Sequence, residues 1–243
     1  MLDTDIDALS LAETLQAVDG CIRRNEPLHL LGVNADKLNQ LGGDERLRKI
    51  AAGCGIVHAD GGSVVLASRF LKTPLPERVA GIDLMQELLR MCALKRYEVY
   101  FLGAERAVVE ETVHRTCARF EGLSVCGFRD GYFSDGEWTD VSREIAAVRP
   151  KIVFVGISSP KKEYLIEFFQ REGHREVFMG VGGCFDVLSG RYRRAPKWMR
   201  RVNLEWLFRM CQEPRRLWKR YLFGNAKFVG RILAEKVGRM KAA

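Results

Sequence analysis

Short apolar runs alternate with longer amphipathic runs along most of the chain, and this alternation restricts the folds that the chain can adopt. The strand-like runs are Leu28–Val33, Gly55–Ala59, Tyr97–Gly103, Leu123–Gly127, Ile152–Gly156 and Val177–Val181. Several are apolar throughout, as strands covered on both faces of a sheet are. Helical patterns lie near residues 10–23, 35–42, 45–53, 63–71, 83–94, 105–120, 140–148 and 160–172. The order predicts an α/β fold with a Rossmann-like, mainly parallel sheet flanked by helices.

The charge of the chain is concentrated at its C-terminal end. Residues 191–243 carry sixteen Lys and Arg against three Glu, a net charge of +13, whereas residues 1–190 have a net charge of −5. We therefore predict an α/β core at 1–190 followed by a basic helical appendage at 191–243.

Aromatic and basic residues are interleaved in the predicted appendage, which contains Trp198, Trp206 and Trp218. Pro214 is expected to separate two short helices. This amphipathic pattern suits the surface of an anionic membrane, where each basic residue contributes about 1 kcal/mol. Arginines and aromatic rings also suit phosphates and bases, so nucleic-acid binding is the rival interpretation. A helical hairpin that packs on the core is a third.

Other features exclude several classes of protein. No run of about 18 apolar residues predicts a membrane-spanning helix, and the acidic start of the chain argues against export. Seven scattered cysteines and four dispersed histidines predict a reducing cytosol and no structural metal. The D-x-D patterns of residues 3–7 are interpreted as solvated or capping residues. We therefore predict a cytoplasmic protein with no metal and no cofactor.

Polar residues follow two of the predicted strands, at the edge where parallel sheets bind ligands. Asp60 follows one strand, and its carboxylate suits either a general base or a turn or helix-capping residue. Asn34 follows another, where its amide suits either a sugar hydroxyl or the cap of the next helix. The residues alone leave both pairs of alternatives open.

Two further strand ends carry features that suit phosphate. Ser159 as the cap and Pro160 as the first residue predict a helix start. Lys161 and Lys162 follow, at the positive end of the helix dipole, where a bound phosphate would make them favourable. Solvated lysines on a surface turn are the alternative interpretation. Glycines in the stretch 180–186 allow close approach to a diphosphate or tight packing of a turn. They lack the G-x-G-x-x-G spacing, which argues against a nicotinamide-dependent dehydrogenase.

The C-terminal third contains the most specific motifs. They are Gly180-Val-Gly-Gly-Cys-Phe-Asp-Val-Leu-Ser-Gly-Arg-Tyr-Arg-Arg-Ala-Pro-Lys-Trp-Met199, Leu204-Glu-Trp-Leu-Phe-Arg209 and Gln212-Glu-Pro-Arg-Arg-Leu-Trp-Lys-Arg-Tyr221. Upstream stand Asn34, Ala59-Asp-Gly61, Arg78 with Gly81 and Asp83, Phe101-Leu-Gly103, Gly131-Tyr-Phe133 and Ser159-Pro-Lys161. Over about residues 8–230 the chain resembles the WecG/TagA/CpsF family of glycosyltransferases.

The resemblance implies an inverting, metal-independent transfer of a hexose from a UDP-sugar to a sugar on polyprenyl diphosphate, as in cell-surface polysaccharide assembly. It implies Asp60 as the base and Arg209, Arg216 and their basic neighbours as groups that close over the site at the inner face of the cytoplasmic membrane. The expected substrate-binding residues are Asn34, Arg78, Gly103, Lys162, Gly182, Gly183, Arg209, Arg216, Lys219 and Arg220. No nucleic-acid partner is implied, and a homodimer is left open.

Two positions depart from the family pattern. Gly32 stands where members often have Thr, and Lys162 stands where they often have Gln. Both are expected near the donor. The donor sugar is therefore left open among glucose, N-acetylmannosamine and its uronic acid.

Overall fold

The computed structural model describes residues 1–242, without the side chains of Arg216, Arg220 and Ala242. Its centre is one six-stranded sheet with the strand order β2-β1-β6-β5-β3-β4, in which every pairing is parallel. The strands are β1 (Leu28–Val33), β2 (Ile56–Ala59), β3 (Glu98–Gly103), β4 (Ser124–Arg129), β5 (Ile152–Gly156) and β6 (Val177–Gly180). The predicted α/β class and parallel sheet are confirmed.

Helices connect the strands and cover both faces of the sheet. They are α1 (Leu11–Arg24), α2 (Ala35–Leu41), α3 (Glu45–Ala52), α4 (Gly62–Phe70), α5 (Gly81–Lys95), α6 (Arg106–Arg119), α7 (Trp138–Val148), α8 (Lys161–Arg171), α9 (Cys184–Leu188), α10 (Lys197–Arg201), α11 (Glu205–Gln212) and α12 (Pro214–Ala242). A short 3₁₀ turn, Asp135–Glu137, precedes α7. Ser10 and Glu13 form the capping box that begins α1.

Large side chains fill the core on both sides of the central strands. Phe101 and Phe154 are fully buried on one face, with ring centroids 5.6 Å apart. Phe178 packs on the other face against Phe169 of α8, at 5.6 Å. Each such ring contributes about 1.5–3 kcal/mol through burial. This double coverage is why strands such as β5 and β6 are apolar throughout.

The strand registers bring the carboxyl ends together at one edge. Val33 of β1 lies opposite Ala59 of β2, and Gly103 of β3 lies opposite Gly156 of β5. The loops that follow these strands consequently meet over one side of the sheet.

The C-terminal segment corrects one expectation. Pro214 does follow a short helix, α11, but it begins α12, which is 29 residues long and not short. Proline suits a first helical position because it needs no backbone N–H there. Phe228 and Ile232 of α12 are buried in the core, and Gly224 accepts a hydrogen bond at 2.7 Å from Asn39 of α2. The division of the chain at residue 190 stays a prediction.

Candidate active site

A cleft of about 1050 Å³ lies over the carboxyl edge of the sheet. Its floor consists of the ends of β1, β2, β5 and β6, and residues 191–213 form one of its walls. Ligand sites are typically clefts of about 300–1000 Å³, and this cleft lies at the upper end of that range. It has room for a ligand as large as a nucleotide sugar.

Asp60 lies on the floor of the cleft, directly after β2. Its Oδ1 atom accepts a hydrogen bond from the backbone N–H of Gly81 at 2.6 Å. The carboxylate does not cap α4, since Gly61 is the capping residue and makes no side-chain cap. Its Oδ1 instead satisfies the first backbone N–H of α5, so the carboxylate joins the loop after β2 to the start of that helix. A half-buried carboxylate held by one oxygen, next to a ligand-sized space, has the geometry of a general base.

Asn34 lines the same cleft at the end of β1. Its side-chain Oδ1 accepts a hydrogen bond from the backbone N–H of Lys37 at 3.0 Å, which caps α2. The capping interpretation is confirmed for this oxygen. The amide nitrogen makes no hydrogen bond within the described part of the chain.

Arg78 connects the Asp60 loop to the C-terminal segment. Its Nε donates to the carbonyl oxygen of Asp60 at 2.7 Å, and its Nη2 lies 2.9 Å from Oε2 of Glu205 in α11. Glu205 also contacts Arg194 at 3.4 Å, and Arg194 pairs with Asp83 of α5 at 2.6 Å. The four charges form a chain of ion pairs across one wall of the cleft.

Two more residues of the C-terminal segment touch the floor. Asn203 lies so close to Gly62, at the start of α4, that a Cβ there would collide with the Asn203 side chain. A Cβ on Gly183 would likewise collide with the side chain of Arg209 in α11. Arg209 also forms an ion pair with Glu213 at 3.7 Å. The absence of side chains at the two glycines therefore lets α10 and α11 come close to the floor.

Lys162 reaches the floor from α8. A Cβ on Gly180 would lie 3.4 Å from its Nζ, and one on Gly182 would lie 3.9 Å away. The Lys162 side chain is only 13% exposed. In the glycine turn of residues 180–183, Lys162 therefore lies close to Gly180 and Gly182, and Arg209 lies close to Gly183.

An ion pair is buried below Lys162. Nζ of Lys37 lies 2.6 Å from Oε1 of Glu163, with the side chains 6% and 0% exposed, and Lys162 lies 3.7 Å from the same oxygen. Burial by itself would raise the pKa of Glu163, but the charges of Lys162 and Lys37 outweigh it and hold that pKa below the usual range. Oε2 of Glu163 is buried, and no group in the described part of the chain forms a hydrogen bond with it. The cluster carries one positive charge in excess.

The helix start near Lys162 differs from its prediction. Helix α8 begins at Lys161 with Pro160 as the capping residue, one position later than expected. Ser159 does not cap it, because its hydroxyl donates to Gln40 at 2.8 Å and accepts from Lys37. The Ser159 hydroxyl therefore binds two residues of α2 and does not cap α8.

The remaining predicted residues fall into four groups. Gly182 and Gly183 line the cleft. Gly103 is buried under it with φ of +128°, and its lack of a Cβ allows the close contact with Gly156. Lys219 lies on the exposed side of α12, with Nζ 5.6 Å from the Trp218 ring centroid. The side chains of the other two predicted residues, Arg216 and Arg220, lie outside the described part of the chain.

Sequence reasoning missed three cleft residues. These are His58, Arg194 and Glu205. The two charged ones lay inside motifs that carried the resemblance. His58 lies two residues before Asp60, and both side chains lie against Gly32. That spacing was the available signal.

Two properties of the described residues complete the geometry. Within residues 1–242, no three His, Cys, Asp or Glu side chains are grouped so that they would hold a metal ion. No helix in that range combines the length and apolar character needed to cross a membrane.

Comparison with known proteins agrees with the resemblance. Three relatives are N-acetylglucosaminyldiphosphoundecaprenol N-acetyl-beta-D-mannosaminyltransferases. The one from Bacillus spizizenii is 36% identical over 188 residues, 77% of this chain and 72% of the relative. The one from Bacillus subtilis is 37% identical over 67% of this chain, which spans 62% of that relative's length. The one from Staphylococcus aureus is 36% identical over 75% of this chain and 68% of the relative. The model of the glycosyl transferase WecG/TagA/CpsF family matches residues 1–242, and the chain therefore belongs to that family.

Proposed function

We propose that this chain transfers a hexose, with inversion, from a UDP-sugar to a sugar linked to polyprenyl diphosphate, with Asp60 as the base. The observation that carries the proposal is the position of Asp60. Its carboxylate is held by Gly81 on the floor of a cleft that also contains the cations Lys162 and Arg209, at the glycine turn of residues 180–183.

The chemistry is a single displacement at the anomeric carbon. An acceptor hydroxyl oxygen forms a bond to that carbon as the bond from carbon to the diphosphate oxygen breaks, and the hydroxyl proton passes to Asp60. The bond from Gly81 fixes Oδ1 of Asp60, and no hydrogen bond to Oδ2 occurs within the described residues. Oδ2 is therefore the oxygen that accepts the proton. Such a base contributes a factor of about 10²–10⁴ to the rate.

The leaving UDP carries negative charge that must be stabilised. Lys162 and Arg209 lie at the glycine turn of residues 180–183, which lets a diphosphate approach the backbone closely. The guanidinium group of an arginine such as Arg209 can bind two phosphate oxygens at once, and the ammonium group of a lysine such as Lys162 supplies a compact positive charge. These residues supply the cations that a metal-independent reaction requires. Arg78 adds a further cation on the wall.

The acceptor class follows from the names of the relatives, which act on N-acetylglucosaminyldiphosphoundecaprenol. A polyprenyl acceptor resides in a membrane. The exposed side of α12 supports contact with an anionic membrane surface because apolar side chains recur on it at helical spacings of three, four or seven residues. These are Trp218, Leu222, Val229, Leu233, Val237 and Met240, which we call the α12 stripe.

The donor sugar is glucose, N-acetylmannosamine or its uronic acid. The excess positive charge of the Lys37, Glu163 and Lys162 cluster is compatible with a donor carboxylate as well as with the diphosphate. A substrate panel is needed to choose among the three.

The deciding experiment measures UDP release from each of the three donors, with and without a polyprenyl-diphosphate-linked sugar in liposomes. We expect release with one donor that depends on the acceptor and is lost in Asp60→Asn. If Asp60→Asn still releases UDP in an acceptor-dependent way at the wild-type rate, Asp60 is not the general base. Absence of UDP-sugar binding by the wild-type protein would refute the proposed reaction.

A further inference from the structure

His58 holds a fixed orientation on the floor of the cleft. Its Nδ1 lies 2.9 Å from the carbonyl oxygen of Val79. A carbonyl only accepts, so Nδ1 carries the proton and donates it to Val79. Burial lowers the pKa of His58 although the charge of Asp60 opposes this, so the ring is neutral at pH 7. Nε2 is then a bare lone pair, which can only accept a hydrogen bond.

The lone pair faces the space left by a missing side chain. His58 of β2 lies opposite Gly32 of β1 in the sheet register. A Cβ on Gly32 would lie 3.1 Å from Nε2 and 3.0 Å from Cε1 of His58, and 3.3 Å from Cβ of Asp60. The imidazole edge and Asp60 therefore border the same small space above Gly32.

This space is open to the ligand. His58 is only 2% exposed, yet both His58 and Gly32 line the cleft. Within the described residues, no protein group donates a hydrogen bond to Nε2. Asp60, the near side chain, is an acceptor in its ionised form and cannot supply one. A ligand hydroxyl can.

The sheet order indicates which sugar occupies this space. β1 lies between β2, which carries His58 and ends just before Asp60, and β6, which leads into the glycine turn of residues 180–183. Two strand spacings, about 10 Å, separate β2 from β6. A donor whose diphosphate lies at the turn and whose anomeric carbon lies near Asp60 therefore crosses β1, which brings hydroxyls of its sugar within reach of the space above Gly32.

We propose that Nε2 of His58 accepts a hydrogen bond from a hydroxyl of the donor sugar, and that Gly32 leaves the room for that hydroxyl. The inference rests on the proposed function and deepens it. His58 and Gly32 then determine donor specificity, because a site built to bind a hydroxyl discriminates against sugars that lack it.

Two substitutions of His58 separate ligand binding from structure. In His58→Asn, the amide nitrogen can still donate to Val79, but no atom occupies the position of Nε2. In His58→Gln, the longer amide reaches that position. We expect His58→Asn to weaken binding of the UDP-sugar about tenfold and to leave binding of UDP unchanged, as loss of one hydrogen bond does. His58→Gln should restore part of the affinity, and Gly32→Ala should weaken UDP-sugar binding by filling the space.

Calorimetric titration with UDP, with the donor sugar nucleotide and with its monodeoxy analogues tests the proposal. One monodeoxy donor should bind wild type about tenfold more weakly than the parent donor does, and should bind His58→Asn as well as the parent does. Equal affinity of His58→Asn and wild type for the parent donor would overturn the inference. An equal loss of affinity of His58→Asn for UDP and for the parent donor would also overturn it, because that result would indicate a purely structural role for His58. Absence of UDP-sugar binding by wild type would overturn the proposed function together with this inference.

Discussion

Nη2 of Arg78 lies 2.9 Å from Oε2 of Glu205, although the two residues are 127 positions apart in the chain. Nε of Arg78 donates to the carbonyl oxygen of Asp60 at 2.7 Å. One guanidinium group therefore joins the loop of the proposed base to α11 of the C-terminal segment. The position of α11 and the shape of the Asp60 loop are coupled through this contact.

We expect Glu205→Gln to loosen the C-terminal segment, because it removes the carboxylate that pairs with both Arg78 and Arg194. A loss of about 1 kcal/mol, typical for coupled partners in a network, would increase the open population roughly fivefold. Limited proteolysis within residues 190–204 should speed up accordingly. Glu87→Gln is the matched control because it breaks an exposed pair with Arg90 within α5, away from that segment. Equal cleavage rates for both variants would contradict the prediction.

Replacement of Asp60 by Asn should lower turnover about 10²–10⁴-fold, because the amide cannot accept the proton of the acceptor hydroxyl. The amide oxygen can still accept the bond from Gly81, so binding of UDP should stay close to wild type. Initial rates of UDP release, together with UDP titration, measure the two effects. Asp140→Asn is the control, since Asp140 is an exposed residue of α7 that pairs only locally with Arg143. Near-normal turnover of Asp60→Asn would remove Asp60 from the mechanism.

Adjacent lysines provide a controlled test of the diphosphate site. Lys162→Gln should weaken UDP binding about tenfold, as loss of a charge-assisted contact does. Lys161→Gln should change the affinity for UDP by less than about twofold. The reason is that the Lys161 ammonium donates to the carbonyl of Phe133 at 2.8 Å and Lys161 does not line the cleft. Titration of both variants with UDP measures the difference. Equal affinities would place the diphosphate away from Lys162.

Local patterns were sufficient to predict the framework of the fold. The run Ile152–Gly156 is strand β5 residue for residue, and the other predicted strands match within one or two residues. The reason is that double burial demands apolar runs of strand length, which polar residues and glycines then end. The same logic placed Asp60 and Asn34 at the ligand edge, since both directly follow strands.

Contacts between distant segments were not predictable in this way. Nothing near Glu205 indicates that it pairs with Arg78, and nothing near Ser159 indicates that its hydroxyl binds Gln40 of α2 instead of capping α8. The length of α12 was missed for a related reason. Burial of Phe228 and Ile232 against the core is a tertiary effect, and local patterns do not show that it extends α12 far beyond Pro214.

The buried pair of Lys37 and Glu163 makes a prediction about stability. Glu163→Gln leaves the Lys37 ammonium buried without its partner at 2.6 Å, which should cost about 3–5 kcal/mol of unfolding free energy. Urea denaturation at pH 7 measures this loss. Glu172→Gln, at the exposed end of the same helix, should change stability by less than about 0.5 kcal/mol.

The pH dependence of the same pair follows from the pKa of Glu163. That pKa is lower in the folded protein than in the unfolded chain, because the charges of Lys162 and Lys37 outweigh burial. The stabilisation is therefore complete above the unfolded-state pKa and is lost as the pH falls through the folded-state pKa. The difference in stability between wild type and Glu163→Gln should accordingly shrink in acid. A constant difference from pH 7 down into the acid range would contradict this assignment.

The α12 stripe distinguishes membrane binding from the rival, nucleic-acid binding. Leu233 is 51% exposed on this stripe, and a leucine that enters a bilayer contributes about 1.5–3 kcal/mol. Leu233→Asp should therefore weaken co-sedimentation with anionic vesicles by about tenfold or more, since it also adds a negative charge. Leu94→Asp is the matched control because Leu94 is 79% exposed on α5, away from the stripe. If the basic segment instead serves nucleic acid, both variants should bind vesicles as weakly as wild type does, and wild type should bind oligonucleotides with an affinity that falls steeply as salt is added.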